Sequence, residues 1–318
     1  MDQSIIEAKE LKSMDRSTCY NRRAFVHQLA GGAAATLALT NAATADDSPN
    51  HPRYPICCFA KPLQHLSFDD LAELMQRLGF QGIEATVRKG GQVAPERVED
   101  ELPKLVAALR RRGLEVTIMA SDINRVDQPL TEKVLKTAAR LGIQRYRFQA
   151  YHYDLSQPIQ RQLLTFGAAL RELAAMNRAI GITGLYQNHS GARYVGAPVW
   201  DIYQLIHHLP PAQVAIAFDI RHATVEGGLS WPIDFNLVQS HLAMVYVKDF
   251  VWEGRKPKNV PLGQGAVDPK FFKTLKATPF ASPVSLHMEY FDHRDPAVVK
   301  QREQAVANDM VTLRKLLS

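Results

Sequence analysis

From residue 56 to the last residue one unit recurs: a short apolar run, a polar loop, then an amphipathic stretch that stops at Gly or Pro. Strands joined by helices run parallel, and a parallel sheet needs helices over its faces, so this alternation leaves few architectures open. The apolar runs fall at 56–60, 83–87, 114–120, 145–149, 182–187, 214–218, 243–247 and 284–288. After the first, Ser67 with Asp70 caps a helix carrying Phe68, Leu71, Leu74, Met75 and Leu78, closed by Gly79. Further helices are predicted over 95–112, 131–141, 158–180, 200–209 and 268–275. In the last helix, capped by Asp295 with Pro296 at its first position, Val299, Val306, Met310, Leu313 and Leu317 share one face. Eight strands alternating with helices predict an α/β fold of the closed (β/α)8 type, the TIM barrel. A doubly wound open sheet is the alternative, and no G-x-G-x-x-G follows the first strand to favour it.

The first 45 residues stand outside that pattern. Arg22-Arg23-Ala24-Phe25 precedes an Ala- and Gly-rich run over 29–43, and Ala43-Thr44-Ala45 forms a small-residue cleavage site. This resembles a twin-arginine signal peptide over residues 1–45, which implies export of a folded protein to the periplasm. Residues 46–54 read as a polar linker and 55–318 as the barrel. The apolar run is shorter than the ~20 residues that cross a bilayer, so no stable membrane span is expected after signal removal. Removal also takes Cys19 and leaves Cys57 and Cys58, adjacent residues poorly placed to bridge each other. A net charge of +6 comes without a concentrated basic stripe, since Arg110, Arg111 and Arg112 sit near Glu99, Asp100 and Glu101. Nucleic acid is therefore not an expected partner.

In a parallel barrel the carboxyl ends of the strands converge on one mouth, where ligands bind. Here those ends are polar. They carry Glu84, Ser121 and Asp122, Arg147 and Gln149, Gln187 with Asn188 and His189, Asp219 with Arg221 and His222, Lys248 and Asp249, and His287 and Glu289. So many ionisable groups cannot be buried singly at several kcal/mol each, and they require a metal, a polar ligand or one another. The loop aromatics Tyr151, Tyr153 and Trp231, with His152, suit a pocket, an interface between copies of the chain, or plain packing equally well.

At this point the sequence resembles a family, the xylose isomerase-like TIM barrels, the sugar phosphate isomerase/epimerase group that also includes the family 2 apurinic endonucleases. Gly82-Ile83-Glu84, Asn188-His189, Asp219-x-x-His222, Lys248-Asp249, Gly263-x-Gly265-x-Val267-Asp268 and Glu289 carry the resemblance, in order, over residues 54–292. It implies one divalent metal held by Glu, Asp, His and Glu from strands five to eight. Asp219 and Glu289 match the second and fourth ligands, while Gln187 stands for the first Glu and Tyr246 for the His. Gln187 offers only a neutral carbonyl oxygen, and a tyrosine ligates well only when ionised, far below its ordinary pKa of about 10. His189, His222 or His287 could supply nitrogen instead, favouring Mn, Zn or Fe over Mg.

The resemblance further implies a small-molecule carbohydrate substrate and a proton moved beside a carbonyl, the work of a sugar isomerase or epimerase. Glu289, His222 and Lys248 are the expected catalytic residues, with Glu84, Arg147, Asn188, His189, Arg221, Trp252 and His287 as substrate contacts. With Gln187 in place of a carboxylate, a one-base elimination or hydration of a keto-sugar or glycoside is the alternative, and a carbohydrate-binding protein without catalysis is another. Endonuclease chemistry ranks below these, because the related nucleases use more His and Glu ligands than these strand ends supply.

Overall fold

The computed structural model describes residues 53–318. The signal-peptide reading over 1–45 and nearly all of the linker over 46–54 lie outside the described residues. Eight parallel strands close into a barrel in the order β1 (Ile56–Phe59), β10 (Val284–Leu286), β7 (Leu242–Val247), β6 (Val214–Asp219), β5 (Thr183–Gln187), β4 (Arg145–Arg147), β3 (Glu115–Ser121) and β2 (Gly82–Val87). Between them run α1 (Phe68–Leu78), α2 (Val98–Arg110), α3 (Thr131–Arg140), α4 (Ile159–Ile180), α5 (Val199–Ile206), α8 (Lys270–Ala277) and, after β10, α9 (Val299–Leu317). The expected capping at α1 is present, with Ser67 Oγ accepting from the Asp70 N–H and Gly79 left-handed at φ 76°. Among the described residues no helix is long and apolar enough to cross a membrane.

Strand parity divides the core in two. One face of each strand packs on the helices through residues such as Ile83, Tyr146, Phe218 and Val245. The other turns inward, where Cys57, Ile118, Leu185, Ala215, Ala217, Met244 and Tyr246 fill the barrel. The same two-residue period carries the inward face upward from Ala217 to Asp219, from Leu185 to Gln187 and from Tyr246 to Lys248. Polarity at the mouth is thus the top of a column that is apolar beneath. Parity also separates Cys57, inside the barrel, from Cys58, which packs in the strand–helix core; both are free buried thiols whose pKa burial pushes up.

Two regions depart from the sequence reading. Two helices follow β6, α6 (Ile220–Gly227) and α7 (Trp231–Leu237), where no periodic stretch is evident. Each spans only about two turns, and α6 is capped by the last residue of the strand itself, Asp219, whose Oδ1 accepts from the His222 N–H at 3.1 Å. The Gly- and Pro-rich segment after β7 is an antiparallel hairpin, β8 (Asp249–Glu253) and β9 (Lys256–Val260), turning at Gly254. Its strands are half exposed and mixed in polarity, so alternation is weak. Among the loop aromatics, Tyr151, Tyr153 and Trp231 are buried packing residues: Tyr151 stacks on Phe166, the Tyr153 hydroxyl donates to Asp201, and Trp231 meets Phe271 edge-on.

Candidate active site

At the carboxyl end of the barrel, charged and amide groups from different strands join in a closed ring. Glu84 Oε1 lies 3.0 Å from Arg147 Nε. Arg147 Nη1 donates to Gln187 Oε1, and Gln187 Nε2 donates to Asp219 Oδ2 at 2.8 Å. Asp219 Oδ2 is 3.3 Å from Lys248 Nζ, which donates to Glu289 Oε2 at 2.9 Å. His287 closes the circuit, with Nδ1 3.8 Å from Glu289 and Nε2 2.9 Å from Glu84 Oε2, which also accepts from Ser285 Oγ. Each charge in the ring thus meets an opposite charge or a dipole, which is what permits their burial.

The ring sets the protonation states. Burial opposes ionisation of Glu84, but Arg147 and His287 outweigh it and hold its pKa down at about 2. Glu289 is likewise driven well below the usual carboxylate range, because Lys248, His287 and Lys61 overcome the effect of burial. Lys248 moves the other way: burial disfavours its charge, yet Asp219 and Glu289 raise its pKa above the ordinary lysine value. Burial pushes the Tyr246 phenol well above 10 and Glu84 adds to this, so it stays protonated.

A cavity of about 130 Å³ opens above the ring, lined by Arg147, Gln187, His189, Lys248, His287 and Glu289 together with Phe59, Lys61 and Arg88. Lys61 and Arg88 also line an outer cavity of about 660 Å³. The two together suit a small polar ligand, for which sites of about 300–1,000 Å³ are usual. Of the ring carboxylates, Glu289 reaches this space, its side chain 21% exposed, whereas Glu84 and Asp219 are 0% exposed.

Several expected contacts are committed elsewhere. Asn188 donates to the Asp219 carbonyl and accepts from the Asp219 N–H at 2.7 Å, so it pins β5 to β6. His222 Nδ1 faces the Ser190 N–H and Arg221 Nη1, both obligatory donors, which places the imidazole proton on Nε2, 3.5 Å from Asp219 Oδ2. Burial and Lys248 hold His222 neutral, and it supports Asp219 from behind the cavity wall. Arg221 is spent on Ser190 and His222, and Trp252 lies half exposed on the hairpin against Phe250. His189, between the rings of Tyr194 and His222, donates from Nδ1 to the Ser190 carbonyl; this leaves Nε2 as an acceptor, and burial with Lys248 lowers its pKa to about 4.

The cavity residues that sequence reasoning passed over are Phe59, Lys61 and Arg88. Arg88 is the residue directly after β2, where the strand-end rule points, but Glu84 within the strand drew the attention. Lys61 follows the apolar first strand and lies 3.5 Å from Glu289. Phe59 stacks on the His287 ring at 4.5 Å.

The four positions that correspond to metal ligands do not form a cation cage. Lys248 lies between the two carboxylates, the Gln187 amide turns its N–H toward Asp219 and its oxygen toward Arg147, and the protonated Tyr246 packs between Arg147 and the His287 ring. Of the candidate nitrogen donors, His222 Nδ1 and His287 Nε2 are engaged, and His189 Nε2, though free at the cavity, has no set of ligands around it among the described residues. Among the described residues no group of three or more His, Cys, Asp or Glu is arranged to hold a metal ion.

The profile of the xylose isomerase-like TIM barrel family matches residues 72–316. No curated protein matches the chain by sequence. Among solved structures, the IOLI protein with a bound zinc atom superposes with a TM-score of 0.68 at 17% identity, covering 83% of this chain and 98% of that one. A 3-keto-D-glucoside 4-epimerase from E. coli gives 0.61 at 16% identity, covering 82% and 99%. A probable 3-DHS dehydratase from Bacillus anthracis gives 0.61 at 16%, covering 80% and 99%. At these identities the likeness is one of fold.

Proposed function

The chain belongs to the xylose isomerase-like TIM barrel family, and from that premise we propose that it is a sugar isomerase working by single-base proton transfer beside a carbonyl. The observation that carries this reading is the setting of Glu289, an ionised carboxylate at the cavity edge with the Lys248 ammonium 2.9 Å away. Glu289 takes the proton from the carbon next to the substrate carbonyl, and the electron pair moves onto the carbonyl oxygen. Lys248 donates one N–H to Glu289 and forms an ion pair with Asp219 at 3.3 Å. An ammonium has three N–H bonds, so one remains for that developing oxyanion, with Arg147 beside it. The hydroxyl proton on the carbon that lost its hydrogen then passes to this oxyanion, and as that hydroxyl oxygen becomes the new carbonyl the enediolate takes the proton back from Glu289 at the former carbonyl carbon. His189 Nε2 accepts from a substrate hydroxyl, and Arg88, whose guanidinium has no hydrogen-bond or ion-pair partner among the described residues, meets a more distant oxygen from its place in the lining of both cavities.

One base suits an isomerase better than an epimerase, which needs a proton acceptor on each face of the carbon. On the far side of the ring stands Gln187, which accepts no proton. Elimination from a keto-glycoside is the second reading, favoured by Lys61, whose ammonium near Glu289 could protonate a departing oxygen.

The test is incubation of the purified chain with a panel of aldoses, keto-sugars and keto-glycosides in D₂O. Isomerised product with deuterium beside the carbonyl supports the proposal, and Glu289→Gln should lower the rate by ~10²–10⁴-fold. Release of an aglycone selects elimination. Ligand-induced stabilisation with neither outcome makes the chain a carbohydrate-binding protein.

A further inference from the structure

We propose that the Lys248 ammonium is a built-in replacement for the divalent cation of the family, so that this barrel works without taking up a metal. The argument begins with position. Nζ lies 3.3 Å from Asp219 Oδ2 and 2.9 Å from Glu289 Oε2, bridging the two carboxylates that match metal ligands. A cation already joins them, carried on a lysine side chain that is only 6% exposed.

The neighbouring side chains are committed to this arrangement. For Gln187 to ligate a metal beside Asp219, its carbonyl oxygen would have to turn toward the cation. That rotation would aim its amide N–H groups at the Arg147 guanidinium and bring its oxygen toward Asp219 Oδ2, losing hydrogen bonds to two charged partners at once. Tyr246, at the position of the histidine ligand, is held between Arg147 and the His287 ring, on the Glu84 side of the barrel. Arg147 therefore fixes both non-matching positions in orientations that exclude ligation.

Charge balance agrees. Three carboxylates around a divalent ion leave a single net negative charge, and so do two carboxylates around one ammonium. The loss of one carboxylate at Gln187 and the gain of an internal monovalent cation offset each other. A lysine in this place also keeps a directed N–H for a substrate oxygen, where a metal would offer an open coordination position. The inference rests on the proposed proton transfer only for that last role; the replacement of the ion does not depend on it.

The experiment therefore measures metal without any substrate. The full chain, Lys248→Ala, and the triple variant Gln187→Glu/Tyr246→His/Lys248→Ala are titrated with Zn²⁺ and Mn²⁺ by calorimetry, with elemental analysis after dialysis. The parent chain should retain less than about a tenth of an equivalent, where a structural or catalytic site would be filled. Lys248→Ala should bind at least ~10-fold more tightly than the parent, a difference of about 1.4 kcal/mol. The triple variant should approach full occupancy and gain thermal stability on adding metal. One equivalent in the parent chain, lost in Asp219→Ala, overturns the proposal, and so does a folded triple variant that binds no ion. If the triple variant does not fold, Lys248→Ala decides: affinity equal to the parent's overturns the replacement. Failure of the D₂O screen with these metal results intact would fall on the proposed reaction alone.

Discussion

At the residue scale, the ring sorts its carboxylates by exposure and partner. Glu84 is a fully buried anion held by Arg147, His287 and Ser285, so its contribution is to stability. Glu84→Gln should cost about 3–5 kcal/mol at pH 7, because Arg147 is left buried without its counter-charge. The pH dependence has a definite sign. With a folded pKa of about 2 against an unfolded value of about 4.3, the stabilisation is complete above the unfolded pKa and is lost as pH falls through the folded one. Denaturation midpoints measured from pH 2 to pH 6 should show the parent losing its advantage over Glu84→Gln across that window. Lys248 governs a different observable. It is the foremost of the charges that hold Glu289 ionised to low pH, so Lys248→Met should move the acid limb of the kcat/KM profile upward. The same change should lower the plateau by ~10²–10³-fold, the usual loss for one oxyanion donor. A lowered plateau with an unmoved limb would separate Lys248 from Glu289.

At the element scale, the hairpin of β8 and β9 is organised by one carboxylate. Asp249 Oδ2 accepts from the Gly263 and Gly265 N–H groups at 3.0 Å each, and Oδ1 accepts from Val267 and Phe250. A Cβ on Gly265 would collide with the Asp249 carboxylate and the Phe250 carbonyl. Gly265→Ala should therefore destabilise by about 1–3 kcal/mol, the range for overpacking. Limited proteolysis should then cut within 249–267 before the barrel is attacked. This clamp explains why Lys248-Asp249 and the Gly-x-Gly segment occur together in the sequence: the first residue faces the cavity and the second folds the loop beside it. The eight strands were legible because a buried parallel strand is a compact apolar run between turn signals. The mouth residues were legible because inward parity continues past the apolar layer. The roles within the mouth were not. Whether Asn188 meets a substrate or pins the Asp219 backbone depends on which neighbour its amide reaches, and spacing along the chain carries no record of that. Arg88 stands at a strand end and was overshadowed by Glu84, whereas Lys61 belongs to no motif and only the closure of the barrel brings it to Glu289.

At the scale of the whole molecule, the barrel needs no disulfide, since its two described cysteines are free and buried on opposite sides of β1. That suits the proposed export of a chain folded beforehand. Expressed in a bacterium with a working twin-arginine system, the full chain should yield a periplasmic form whose N-terminal sequencing begins at Asp46; a cytoplasmic product starting upstream would count against the signal. The polar circuit at the mouth has a wider consequence. A linear string of contacts parts where it is cut, but a loop with one break is still tethered from its other end. A first lesion at Glu84 and a second across the barrel at Asp219 would thus be felt together rather than separately, although the two side chains do not touch. The rim behaves like a hoop under shared tension, and a lineage retuning one stave for a new sugar would have to answer at the others.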